Sequence, residues 1–126
     1  MSEFKLLTCI EEEDGVKLAE LACKPVRTGT ASLSRKEAET LLPQVPTWSL
    51  GEREITREFR FRDFRQAMDF VNNVASIANA EDHHPDIFVS YNNVRLTLST
   101  HKIGGLSMND FIMAAKIDLL AIQWKV

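Results

Sequence analysis

Three short stretches of this chain carry the same local grammar, and they restrict strongly what it can fold into. Ser34 with Glu37, Asp63 with Gln66, and Ser107 with Asp110 each pair a cap-forming side chain with a polar residue three positions on. The first can accept a hydrogen bond from an unpaired backbone N–H at a helix start, and the second can reach back to the cap. Three such boxes predict three helices. The first is short, because Leu41-Leu42 runs straight into Pro43, after which "PQVPTW" reads as a loop. The second spans about 64–80, with Phe64, Met68, Val71, Val74 and Ile77 along one stripe at helical spacing.

Between the helices the period changes from helical to alternating. In "WSLGEREITREFRF", Ile55, Phe59 and Phe61 fall on one side and Thr56, Glu58 and Arg60 on the other, which predicts a strand pair around Gly51. Two further strands, "IFVSY" and "VRLTLSTH", are separated by Asn92-Asn93, and asparagine tolerates the left-handed backbone of a tight hairpin. The order is α-β-β-α-β-β-α. Hairpins with helices between them predict an α+β fold, a four-stranded antiparallel sheet with helices packed on one face.

A chain of 126 residues suits one domain with one core. Residues 1–32 lack this periodicity: they hold the acidic run Glu11, Glu12, Glu13, Asp14 and the loop-like "KPVRTGTAS", and are expected to form a loosely structured N-terminal arm on a domain at 33–126. Charged residues at 26% and a net charge of -3 give no basic field for phosphate backbones, so a nucleic-acid partner is not expected. No apolar run approaches the ~18 residues of a membrane span. The opening "MSEFKLLTCI" lacks a basic start and a cleavage-like pattern, so a cytoplasmic location is expected. Cys9 and Cys23 show no metal-ligand spacing and are read as free thiols.

All three histidines, His83, His84 and His101, lie within "DHHPDIFVSYNNVRLTLSTH". Pro85 disfavours helix at His84, so the second helix ends at or before Asp82-His83, with His83 at its C-terminus and His84 in extended backbone. Val94, Leu96 and Leu98 share one strand face, which sets His101 on the opposite, polar one. Because the hairpin folds back on itself, the three imidazoles can meet at one rim of the sheet. Such a trio has three readings. It lacks the i, i+4 and i, i+2 spacings common in metal sites. It could be satisfied surface residues. It could also be acid/base machinery, since imidazole both gives and takes protons near neutral pH. No serine elbow or core cysteine offers a nucleophile, so proton transfer is the chemistry left to such a site.

The stretch "DHHPDIFVSYNNVRLTLSTHKIGGLSMNDF" resembles the signature of the pterin-4a-carbinolamine dehydratases, through His83, His84, Pro85, Tyr91, His101 and Asp110. The resemblance runs from about Leu33 to the last helix. It implies elimination of water from a 4a-hydroxytetrahydropterin to give quinonoid dihydropterin, with no metal and no cofactor, in support of an aromatic amino-acid hydroxylase. On the family pattern His83 and His101 are the acid/base pair, His84 mainly positions the ring, and Asp82 and Asp110 help bind substrate. Asp110 either contacts substrate or orients a histidine on that pattern, with a competing reading as the cap of the third helix, and Tyr91 is expected to pack rather than to stack on a pterin. Two other implied roles are a dimerisation or coactivator-type binding module and the handling of molybdopterin-related pterins.

One position departs from the family pattern. Asn79 stands where a charged residue, usually glutamate, is normal. Four residues before His83 on a helix, a glutamate would favour a charged imidazole there, whereas asparagine brings no charge. The third helix, "FIMAAKIDLLAIQWKV", is apolar over more than one stripe, which predicts a homodimer or homotetramer with Phe111, Ile112, Leu119 or Leu120 in the second interface.

Overall fold

The computed structural model describes residues 17–124. In chain order it comprises helix α1 (Arg35–Leu41), strands β1 (Ser49–Leu50) and β2 (Ile55–Arg60), helix α2 (Phe64–Glu81), strands β3 (Asp86–Ser90) and β4 (Asn93–Leu98), and helix α3 (Met108–Gln123). The four strands form one antiparallel sheet in the order β1-β2-β4-β3. This is the expected α+β architecture.

Each helix begins where its cap places it. The Ser34 hydroxyl accepts from Glu37 N–H at 3.0 Å, and the Glu37 carboxylate accepts from Ser34 N–H at 2.8 Å. Asp63 accepts from Gln66 N–H at 2.9 Å, but Gln66 reaches one residue past the cap, to Arg62 N–H at 2.8 Å. The buried stripe of α2 is Ala67, Phe70, Val71, Val74 and Ala78, and Phe64 is half exposed. Phe70 sets this rotation: its ring lies 4.9 Å from both Phe59 and Phe61, filling the space above β2.

On the sheet's core face the register sets Ile55 opposite Leu98 and Phe59 opposite Val94, and all four are buried. Arg57 shares that face. Its guanidinium donates to Asp118 at 2.6 Å and lies 4.3 Å from the centre of the Phe59 ring, while Trp48 Nε1–H donates to the same carboxylate at 2.7 Å. Burial outweighs these contacts and holds the Asp118 carboxyl above its ordinary range. The opposite face is polar, with Arg95 3.8 Å from Glu58 and its guanidinium over Phe88.

The hairpin turns one residue earlier than expected. Ser90 and Asn93 are the last paired residues, so the turn is Tyr91-Asn92, and Tyr91 takes the left-handed backbone, at φ 50. Asn92 is committed elsewhere: its carbonyl accepts from Phe61 N–H and its amide donates to Phe61 O, each at 2.8 Å. Tyr91 consequently projects from the turn, 66% exposed, and does not pack.

Over its described residues 17–32 the arm makes specific contacts with the domain. Leu18 is buried in the core, Lys116 Nζ donates to Ala19 O at 2.8 Å, and Cys23 N–H donates to Glu81 at 2.8 Å. The arm then crosses Gly105, where a Cβ would come within 2.8 Å of the Ser32 Cβ, and Leu33 N–H bonds Leu106 O at 2.8 Å. The acidic run at 11–14 and Cys9 lie outside the described residues. This docking also corrects the expectation for α3. Phe111 and Ile112 are buried within the chain itself, because the turn at Leu18–Glu20 packs on α3 and helps cover its second apolar face. Leu119 stays exposed and Leu120 is part-buried. Among the described residues no helix is long and apolar enough to cross a membrane.

Candidate active site

Asp82 makes the turn on which the site depends. It caps α2 in the left-handed conformation, at φ 54, with its N–H on Ala78 O. An aspartate tolerates that backbone where a branched residue would be strained. The chain therefore leaves the helix sharply. His83 turns inward, its side chain only 11% exposed, and His84 turns outward. At the far side β4 ends at Leu98, Thr100 points in, and His101 opens a short 3-10 turn ended by Gly104 in the left-handed region. His101 has a side chain 74% exposed and lies 3.9 Å from Asp86.

The three imidazoles and Asp82 line one cavity of about 540 Å³. The arm closes its other side through Cys23, Lys24, Pro25 and Val26. Burial, and secondarily the Glu81 carboxylate, push the Cys23 thiol up to about 12, so it stays protonated at neutral pH and is no nucleophile. Among the described residues no three His, Cys, Asp or Glu side chains are grouped as metal ligands.

Asp110 divides its two oxygens between two tasks. Oδ2 accepts from Ser107 N–H at 2.9 Å, which begins α3, and from the Thr100 hydroxyl at 2.8 Å. Oδ1 faces His83 Nε2 at 2.7 Å. Asp110 is wholly buried and takes no part in the cavity lining; it stands behind His83, in the position of the histidine-orienting reading and not of the substrate-contact one. A carboxylate that accepts on every side requires Nε2–H on the ring, which leaves Nδ1 as the lone-pair nitrogen. Thr100 was not singled out in the sequence; two residues past Leu98, it continues the inward alternation of Val94, Leu96 and Leu98, which was the available signal.

Asn79 does not face His83. Its side-chain oxygen lies 3.0 Å from His84 Nε2. The i, i+4 relation to His83 fails because the left-handed Asp82 ends the helix between them, so a charge at position 79 would act on His84.

The structure is thus a small α+β domain in which three imidazoles line one cavity, one of them bonded to a buried carboxylate. Residues 31–120 match the family model described as Pterin 4 alpha carbinolamine dehydratase, and the chain belongs to that family. A protein of Nitrosomonas eutropha bearing the name "Putative pterin-4-alpha-carbinolamine dehydratase" is 50% identical over 107 residues, covering 84% of this chain and 95% of its own length. One of the same name from Halorhodospira halophila is 49% identical over 107 residues, covering 83% and 98%. The crystal structure of a "transcriptional coactivator/pterin dehydratase" from Brucella melitensis superposes with a TM-score of 0.68 at 37% identity, over 71% of this chain and 98% of that one.

Proposed function

We propose that the cavity binds a 4a-hydroxytetrahydropterin and eliminates water from it. The observation that carries this reading is the convergence of His83, His84 and His101 on one cavity, with His83 held through Nε2 by Asp110. The hydroxyl at C4a leaves only once protonated, and N5 must lose its proton as the C4a=N5 bond forms. His83 presents Nδ1 as the base for the N5 proton. His101, open to solvent, protonates the departing hydroxyl and is recharged from water; the net products are quinonoid dihydropterin and water. His84, braced by Asn79, and Asp82 at the rim position the ring. The reaction as written needs no metal and no cofactor, and serves a hydroxylase that releases the adduct.

The test is direct: chelator-treated protein is added to freshly generated 4a-hydroxytetrahydropterin, and dehydration is followed spectroscopically. Acceleration is expected. Protein that is inert, or active only after zinc is restored, overturns this reading.

We also propose that the protein self-associates in the cytoplasm as a homodimer or homotetramer. Leu119 and Ile122, one turn apart on α3, are 56% and 69% exposed, an adjacent apolar pair that a second copy of the chain would cover. Light scattering is expected to show at least a dimer at micromolar concentration, and Leu119→Glu to weaken it; a monomeric wild type refutes the proposal.

A further inference from the structure

The cavity has one wall that residues 31–120 do not supply. From that stretch the lining is polar, the imidazoles with Glu81, Asp82 and their neighbours, and Ala80 is its one purely aliphatic side chain. Sites for flat heteroaromatic ligands ordinarily combine a few placed polar groups with apolar surface for the ring faces. Here that surface comes from the arm, from Pro25 and Val26.

The arm is not resting there by accident of packing. Lys24 N–H donates to Asn109 Oδ1 at 2.9 Å, and Asn109 Nδ2 donates back to Lys24 O at 2.6 Å. A side-chain amide paired twice with one peptide sets both position and direction, as a rung of a sheet would. Asn109 is buried, and Glu81 holds the preceding Cys23 N–H. Asn109 adjoins Asp110, and Glu81 lies two residues before His83. The arm wall and the oriented histidine are thus mounted on the same two helix ends. The match to the Nitrosomonas protein, at 84% of this chain, is too long to fit after residue 30 and so includes part of the arm.

We infer that Pro25 and Val26 form the apolar wall against which the substrate ring lies, making the arm a binding determinant outside the stretch matched to the family. This rests on the reading of the cavity as a pterin site. In the full-length protein, Val26→Asp is expected to raise KM at least about tenfold with kcat within about threefold, the mark of lost uniform binding, while Val26→Leu stays near wild type. A second readout needs no turnover: by equilibrium dialysis, Val26→Asp is expected to weaken binding of 7,8-dihydropterin at least about tenfold, while Val26→Leu binds as the wild type does. If the wild type turns over and Val26→Asp keeps its KM, the inference fails and the dehydratase reading stands. If the wild type does not turn over, that reading fails; weaker dihydropterin binding by Val26→Asp still supports the wall, and unchanged binding overturns it.

Discussion

Replacing His83 by alanine is expected to lower kcat for dehydration by about 10²- to 10³-fold, with a much smaller change in KM. The expectation follows from position. His83 is the cavity-lining imidazole whose Nε2 is fixed on Asp110, which leaves a defined lone pair on its other nitrogen. His101→Ala removes the solvent-linked proton donor, and the double variant is expected to be nearly inert. His84→Ala acts chiefly on KM, since His84 is braced by Asn79 and has no buried carboxylate behind it. Truncating His83 also strips a donor from a buried carboxylate, at a cost of about 1 to 3 kcal/mol in stability, so rates are to be compared after urea titration shows each variant folded. Wild-type rates in all three single variants would make the histidine cluster a structural feature and nothing more.

What the sequence made legible was local, and what it hid was long-range. Helix starts were readable because a cap is a contact between residues three apart, and strand faces because alternation reports which side is buried. Asp110 could be singled out from both its cap and its motif, although not how its two oxygens would be shared. The hairpin turn slipped by one residue because Asn92 bonds Phe61, 31 residues away, a partner that no turn preference contains. The contacts of the arm were hidden for the same reason. Its anchors, Glu81, Asn109 and Lys116, lie 58, 85 and 97 residues from the groups they hold. Asn79 failed differently: helical spacing was applied across Asp82, whose left-handed backbone ends the helix.

Asp110→Asn is expected to be nearly as damaging as the loss of His83 while leaving the fold in place. In the native protein Ser107 N–H and the Thr100 hydroxyl both donate to Oδ2, so an asparagine will put its carbonyl there to keep them satisfied. Its amide then occupies the position of Oδ1 and points a donor at His83 Nε2. A donor facing Nε2 requires a lone pair on that nitrogen, which moves the ring proton to Nδ1, the nitrogen that must act as base. The imidazole keeps its place and presents the wrong tautomer, a defect worth about 10²- to 10⁴-fold in kcat where a buried aspartate orients a catalytic histidine. Asp110→Ala is a poorer probe, because it strands Ser107 N–H and His83 Nε2–H, while the Thr100 hydroxyl can turn to Ser107, and costs about 2 kcal/mol or more. Nitrogen-15 NMR of the imidazoles reads the tautomer directly, and steady-state kinetics reads the consequence. A variant whose His83 has switched to Nδ1–H yet retains wild-type kcat would remove His83 from the role of base and leave His101 to carry the proton chemistry.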